Sequence, residues 1–200
     1  MKKKLRIQQR LILPILLLGA VALISNVLSV FSINNVNSNA SKIVDNYMVG
    51  SETLQNIRHS ITKIHEIALS HIVAADYNTM ITIVGEIKEE EKILETFLKE
   101  YKNYITEEEE EIYTQLLANY DSFKHALVFL VCASADSNTE DAYANGDVAD
   151  FGTAMENNAD ELYAAVNART AAARKHLLIV YVISLIIAAA SVVTCLLLVL

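Results

Sequence analysis

A chain of 200 residues with one Pro, five Gly and no Trp has too few turn-formers for a β-sandwich or a collagen, and 53% hydrophobic residues argue against both disorder and a single soluble domain. Two Cys exclude the disulfide framework of a small secreted domain. Charge is segregated: five of the 16 basic residues lie in the first ten positions, all 24 acidic residues lie between Asp45 and Glu161, and the last stretch has neither, so the acidic middle offers no basic face for nucleic acid.

Residues 1–10, with Lys2, Lys3, Lys4, Arg6 and Arg10, form a basic tail. Leu11–Ile33 then runs uncharged for 23 residues, long enough to cross the hydrocarbon core as a helix, for which roughly 20 apolar residues suffice. A basic flank before a first span places the N-terminus in the cytoplasm. A cleavable signal peptide is the alternative, with Ser38-Asn39-Ala40 as a small-x-small site, but its apolar core is usually about 7–15 residues.

From Ile12 a spacing of three and four runs through Ile15, Gly19, Ala22, Asn26, Ser29, Ile33, Val36, Ala40, Ile43, Tyr47, Gly50, Leu54, Ile57, Ile61, Ile64, Ala68, His71 and Ala75. Such a seam predicts that span one and the first outer helix are nearly one rod, with Gly50 as its bend and Asp76-Tyr77-Asn78 as its end. Within the span, Gly19, Ala22, Asn26 and Ser29 make a stripe of small and polar residues among Leu, Ile and Val. Stripes of this kind let membrane helices approach and hydrogen-bond, so this one is the expected packing seam, either between two copies of span one or with the second span.

A second helix is expected over about 78–105, with Met80, Val84, Ile87, Leu94, Leu98, Tyr101 and Ile105 on its seam and Glu91 as the polar exception. Thr106 caps a third helix and Glu109 completes a T-x-x-E capping box. The third seam is Tyr113, Leu116, Tyr120, Phe123, Leu127, Leu130 and Ser134, ended by Asp136-Ser137-Asn138. A short helical piece at 139–144 and an Asn145-Gly146-Asp147 turn precede the last helix, whose seam is Val148, Met155, Ala159, Leu162 and Val166. That helix leads into a second span, Leu177–Leu200, again without charge. No charged flank follows it, and the chain is expected to be part of a longer protein.

Lengths set the topology. At about 1.5 Å per residue, 34–75 rise about 63 Å from the membrane, 138–176 descend about 58 Å, and the two middle helices, about 42 Å each, form a shorter hairpin between them. The fold class is all-α: two transmembrane helices (11–33 and 177–200) flank an extracytoplasmic, antiparallel up-down-up-down four-helix bundle (34–176). Arg169, Arg174 and Lys175 on the outer side weigh against this orientation, but the N-terminal tail carries more charge and comes first.

Chemistry-bearing motifs are sparse. No G-x-x-x-x-G-K-[ST], G-x-G-x-x-G or Glu-x-x-His occurs. His65-Glu66 opens like H-E-x-x-H, yet the next histidine is His71, and His59, His65 and His71, six apart, cannot share a helical face. No metal, cofactor or enzymatic activity is expected of these residues. Cys132 reads as a small packed residue, with a disulfide between two copies as the alternative. Glu107–Glu111 reads as the acidic first turn of a helix rather than a cation site. Arg58, mid-bundle and next to the seam residue Ile57, is the candidate ligand contact, since its guanidinium suits a carboxylate; ordinary surface pairing is the alternative.

The basic tail (Lys2–Arg10), the first span, the Ile33-Asn34-Asn35-Val36-Asn37 exit, four outer helices and a second span together resemble bacterial methyl-accepting chemotaxis receptors. The closest likeness is to the subfamily whose sensor is a four-helix bundle. Glu140-Asp141-Ala142-Tyr143 and Asp160-Glu161-Leu162 are similar to that family's segments. The resemblance implies a homodimeric receptor in the cell membrane that binds a small-molecule ligand or a ligand-loaded binding protein outside. It further implies a small shift of helix four and span two, passed to cytoplasmic signalling parts that these residues do not include. The arginine pattern of the aspartate-sensing receptors is not reproduced, which leaves the ligand open. Similar sensor bundles sit on histidine kinases and cyclic-dinucleotide enzymes, and a membrane-tethered scaffold without signalling is the further alternative.

Overall fold

The computed structural model describes residues 7–138, 140 and 146–199. Helix α1 spans Ile7–Lys42 and is followed by a π-helical segment, Ile43–Met48, and by α2, Val49–Ile72. Helix α3 spans Tyr77–Tyr101, a 3₁₀ turn covers Glu107–Glu109, α4 spans Glu110–Ala135, and α5 runs from Asp147 to Val199 without a break. The expected piece at 139–144 lies, apart from Glu140, outside the described residues, and so does most of the basic tail.

Two compact units result. Asp45–Arg169 forms one; the residues up to Val44 and those from Thr170 onward form the other. The first is an antiparallel four-helix bundle. Each helix contributes one stripe to a common core: Leu54, Ile57, Ile61, Ile64 and Ala68 from α2, Ile83, Ile87, Leu94, Leu98 and Tyr101 from α3, Tyr113, Leu116, Phe123, Leu127 and Leu130 from α4, and Met155, Ala159, Leu162 and Val166 from α5. Burying one face per helix is what makes the bundle fold, because most helical stability in proteins comes from packing of an amphipathic face rather than from intrinsic propensity.

Every expected α4 and α5 seam position is buried, joined by Ala126, Gly152 and Asn158. The α3 stripe is shifted: Ile83 and Glu90 are buried, whereas Val84 and Glu91 are half-buried. A spacing of three or four after Ile87 admits either glutamate, and the partners on α2 select Glu90. Helix α3 also stops at Tyr101, short of 105.

Local signals explain the helix ends. Asp76 caps α3, its Oδ1 accepting from the Thr79 N–H at 3.0 Å and its Oδ2 from the Thr79 hydroxyl at 2.7 Å. The Thr106–Glu109 capping box is present, with the Thr106 N–H donating to Glu109 Oε2 at 3.0 Å. Helix α4 ends through Ser137, whose positive φ of 61° turns the chain.

The expected bend at Gly50 is corrected. Irregularity falls instead on Ile43–Met48, where the backbone is π-helical. Gly50 itself is buried, and a Cβ there would meet Tyr104 Cβ at 3.2 Å. Its lack of a side chain serves close packing against the α3–α4 connection.

In the other unit, α1 and α5 each hold a stretch long and apolar enough to cross a membrane. Their outward residues are Leu16, Leu23, Phe31, Leu178, Ile186 and Leu197, all well exposed. Ser25 donates to Ser191 at 3.2 Å, Ser32 bonds Ser184, and Asn39 meets His176 at 3.3 Å, so the two helices run antiparallel in fixed register.

Candidate functional site

Four groups of polar contacts between the bundle helices hold charged or titratable side chains that bear on a site. The first is a ladder between α2 and α5. Gln55 reaches the Tyr163 hydroxyl at 3.5 Å, Arg58 pairs with Asp160 at 2.8 Å, and Thr62 donates to Glu156 at 2.9 Å. Hydrogen bonds from Asn167, Ser51 and Gln55 hold the Tyr163 phenol below its ordinary pKa. Arg58, the candidate ligand contact, therefore sits in an ion pair with both side chains about half open to solvent, at 46% and 51%. A ligand carboxylate would meet a guanidinium already engaged by Asp160.

The second contact is buried. Glu90, 4% exposed, accepts from the Ser60 hydroxyl at 2.7 Å and from Lys63 Nζ at 2.5 Å. Burial acts to raise its pKa, but the Lys63 and Ser60 hydrogen bonds and the Lys63 charge outweigh it and hold the carboxyl below the usual range.

The third lies at the far end of the bundle. His71 is buried, and its Nδ1 lies 3.0 Å from Ser134 Oγ. The Ser134 hydroxyl spends its one proton on the His71 carbonyl at 3.2 Å, so it accepts from the ring, which fixes the Nδ1–H tautomer. Burial lowers the His71 pKa. His59 is exposed and His65 half-buried, and among the described residues no three His, Cys, Asp or Glu side chains converge.

The fourth contact joins α5 to the start of α4. Glu109 is the one member of the Glu107–Glu111 run that is buried, at 3% exposure. Its Oε1 stands 3.0 Å from Nη2 of Arg169, whose guanidinium also lies 5.3 Å from the Tyr47 ring centre. Tyr101 is fully buried beside them, and burial and the Glu109 charge push its phenol pKa strongly up. Sequence reasoning took Glu109 as a cap within an acidic first turn and Arg169 only as a positive charge on the outer side. Their pairing spans 60 residues and has no local signature.

In the α1–α5 unit, Gly19, Ala22, Asn26 and Ser29 are exposed. The contacts to α5 run through Ser25 and Ser32, one position from Asn26 and Ile33, which on a helix is about 100° around the axis. Ser29 borders that contact, on the rim of a groove it shares with Ser32, Val36, Tyr181 and Ser184. A signal for the α1–α5 contact was present: Ser25 and Ser32, and Ser184 and Ser191, are each seven apart in apolar surroundings. Cys132 is exposed, not packed, because the α4 stripe passes through Leu130 and Ser134 on either side of it.

No curated protein matches the chain. A sequence-family model described as a four-helix-bundle sensory module for signal transduction matches residues 4–176, covering both the first apolar stretch and the bundle. The buried stripes, the antiparallel order and that match agree, and the chain belongs to the family of four-helix-bundle sensory modules of methyl-accepting chemotaxis proteins.

Proposed function

We propose that the bundle senses an extracytoplasmic ligand or partner protein and relays its presence inward by displacing its last helix together with the second span. The observation that carries this reading is α5, one helix from Asp147 to Val199 that contains both the bundle stripe and the apolar stretch. Displacements of about 1–2 Å are an established switching mode, and a ligand needs to favour one of two packings by only about 1–3 kcal/mol. The N-terminus is cytoplasmic, residues 34–176 are outside, and the chain acts in the cell membrane as a homodimer. The exposed stripe Gly19, Ala22, Asn26 and Ser29 supports the dimer, because it is left open on a single chain. Single cysteines at 22, 26 and 29 should crosslink between copies; no intermolecular product at any of them rejects that seam.

Arg58 is the proposed ligand contact, with Asp160 as the group a ligand carboxylate displaces. The relay is tested by glycines inserted between Arg174 and Leu177, in the receptor as it signals. Uncoupling of ligand binding from output is expected, and unchanged signalling refutes the mechanism.

A further inference from the structure

The Glu109–Arg169 contact differs from the others in position and in incompleteness. Arg169 is the last residue of the bundle unit along α5. It touches two further elements: the π-helical segment, through the Tyr47 ring at 5.3 Å, and the 3₁₀ turn at the start of α4, through Glu109 at 3.0 Å. Glu109 is held in place by its second oxygen, which caps the turn at Thr106, and its near-complete burial leaves Arg169 as its only charged partner among the described ion pairs. Two polar atoms in this cluster, Tyr101 Oη and Arg169 Nε, are enclosed yet make no hydrogen bond, and Glu109 Oε1 is held by its ion pair with Arg169 alone. Native interiors seldom leave such atoms idle.

The geometry points to Arg169 as the positioning residue of the last helix: through Glu109 and Tyr47 it fixes where α5 stands against the rest of the sensor, and the unused donors and acceptors around it let the junction re-form after a small shift. A guanidinium suits this role because its several N–H groups can exchange partners within one plane while remaining charged. The inference deepens the relay reading and rests on it. Its failure is separable, because helix position can be measured within the bundle while the glycine insertion beyond Arg174 reads coupling alone.

The test uses the whole chain in lipid nanodiscs, with Cys132→Ser and Cys195→Ser and spin labels on Lys102→Cys and Ala168→Cys. Arg169→Gln should move the label-to-label distance by about 1–2 Å and lower the thermal midpoint. Glu109→Gln, which keeps an oxygen for Thr106, should do the same, and the double variant should go no further than either single one. Arg169→Lys, which keeps the charge but loses the plane over Tyr47, should fall between. A parental distance in Arg169→Gln, or fully additive shifts in the double variant, overturns the proposal. Should Arg169→Gln fail to fold, Arg169→Lys decides: a shifted distance supports the proposal and a parental one overturns it.

Discussion

Glu90 and His71 give the bundle two buried ionisable groups whose effects add on acidification. Glu90 has a depressed pKa, so its stabilisation is present above the ordinary carboxylate value and is lost as pH falls through the folded-state value. His71 is also depressed, so the folded bundle binds its proton less readily than the unfolded chain does, and stability falls as pH drops below about 6.5. The thermal midpoint should therefore decline in two stages, the first from His71 and the second from Glu90. His71→Asn should flatten the first stage and Glu90→Gln the second, as followed by circular dichroism across pH 7 to 3. A His71→Asn profile that still falls as steeply above pH 5 would rule out the histidine. These residues also show what the sequence left open. Glu90 and Glu91 fit the same periodicity, and only Lys63 and Ser60, across on α2, decide between them. Glu109 was legible as a cap because its signal is three residues long; its ion pair with Arg169 depends on tertiary packing.

Helix α4 shows the spacing argument at its strongest. All seven expected seam positions from Tyr113 to Ser134 are buried, because one stripe of large apolar and aromatic side chains about six turns long admits one orientation only. Phe123 is completely enclosed and meets Gly152 of α5, so Phe123→Ala should cost about 3–5 kcal/mol. Phe129, 64% exposed on the same helix, should change stability by no more than about 0.5 kcal/mol on the same substitution. Urea unfolding of the two variants checks the contrast, and equal losses would contradict the assigned face. Helix α3 depends on its start: Asp76→Ala should lower the midpoint, and Asp76→Asn, which retains an acceptor for the Thr79 N–H, should lower it less. The first helix was read less well. Unbroken spacing from Ile12 to Ala75 gave no hint of the π-helical segment.

At the scale of the whole molecule, family and architecture were legible from charge segregation and two apolar runs, because a bilayer imposes length and charge limits that a single sequence displays. Within the chain those runs meet through Ser25 and Ser32, beside the stripe that was expected to pack either with a second copy or with the second span. The two serine contacts carry a mechanical consequence. Ser25 with Ser191 and Ser32 with Ser184 lie one heptad apart, so sliding one helix along the other strains both links together, and the next register offering serine to serine, Ser29 to Ser184, lies about 4.5 Å away. The pair thus acts as a detent: the resting notch holds two serine links, and the neighbouring Ser29-to-Ser184 register keeps only one. Ser184→Ala with Ser191→Ala should loosen that notch, raising the spontaneous signalling level without ligand while leaving ligand affinity at the bundle to change only by the reciprocal coupling. On the proposed relay, the resting state depends on hydroxyl contacts between α1 and α5 and not on the bundle core alone.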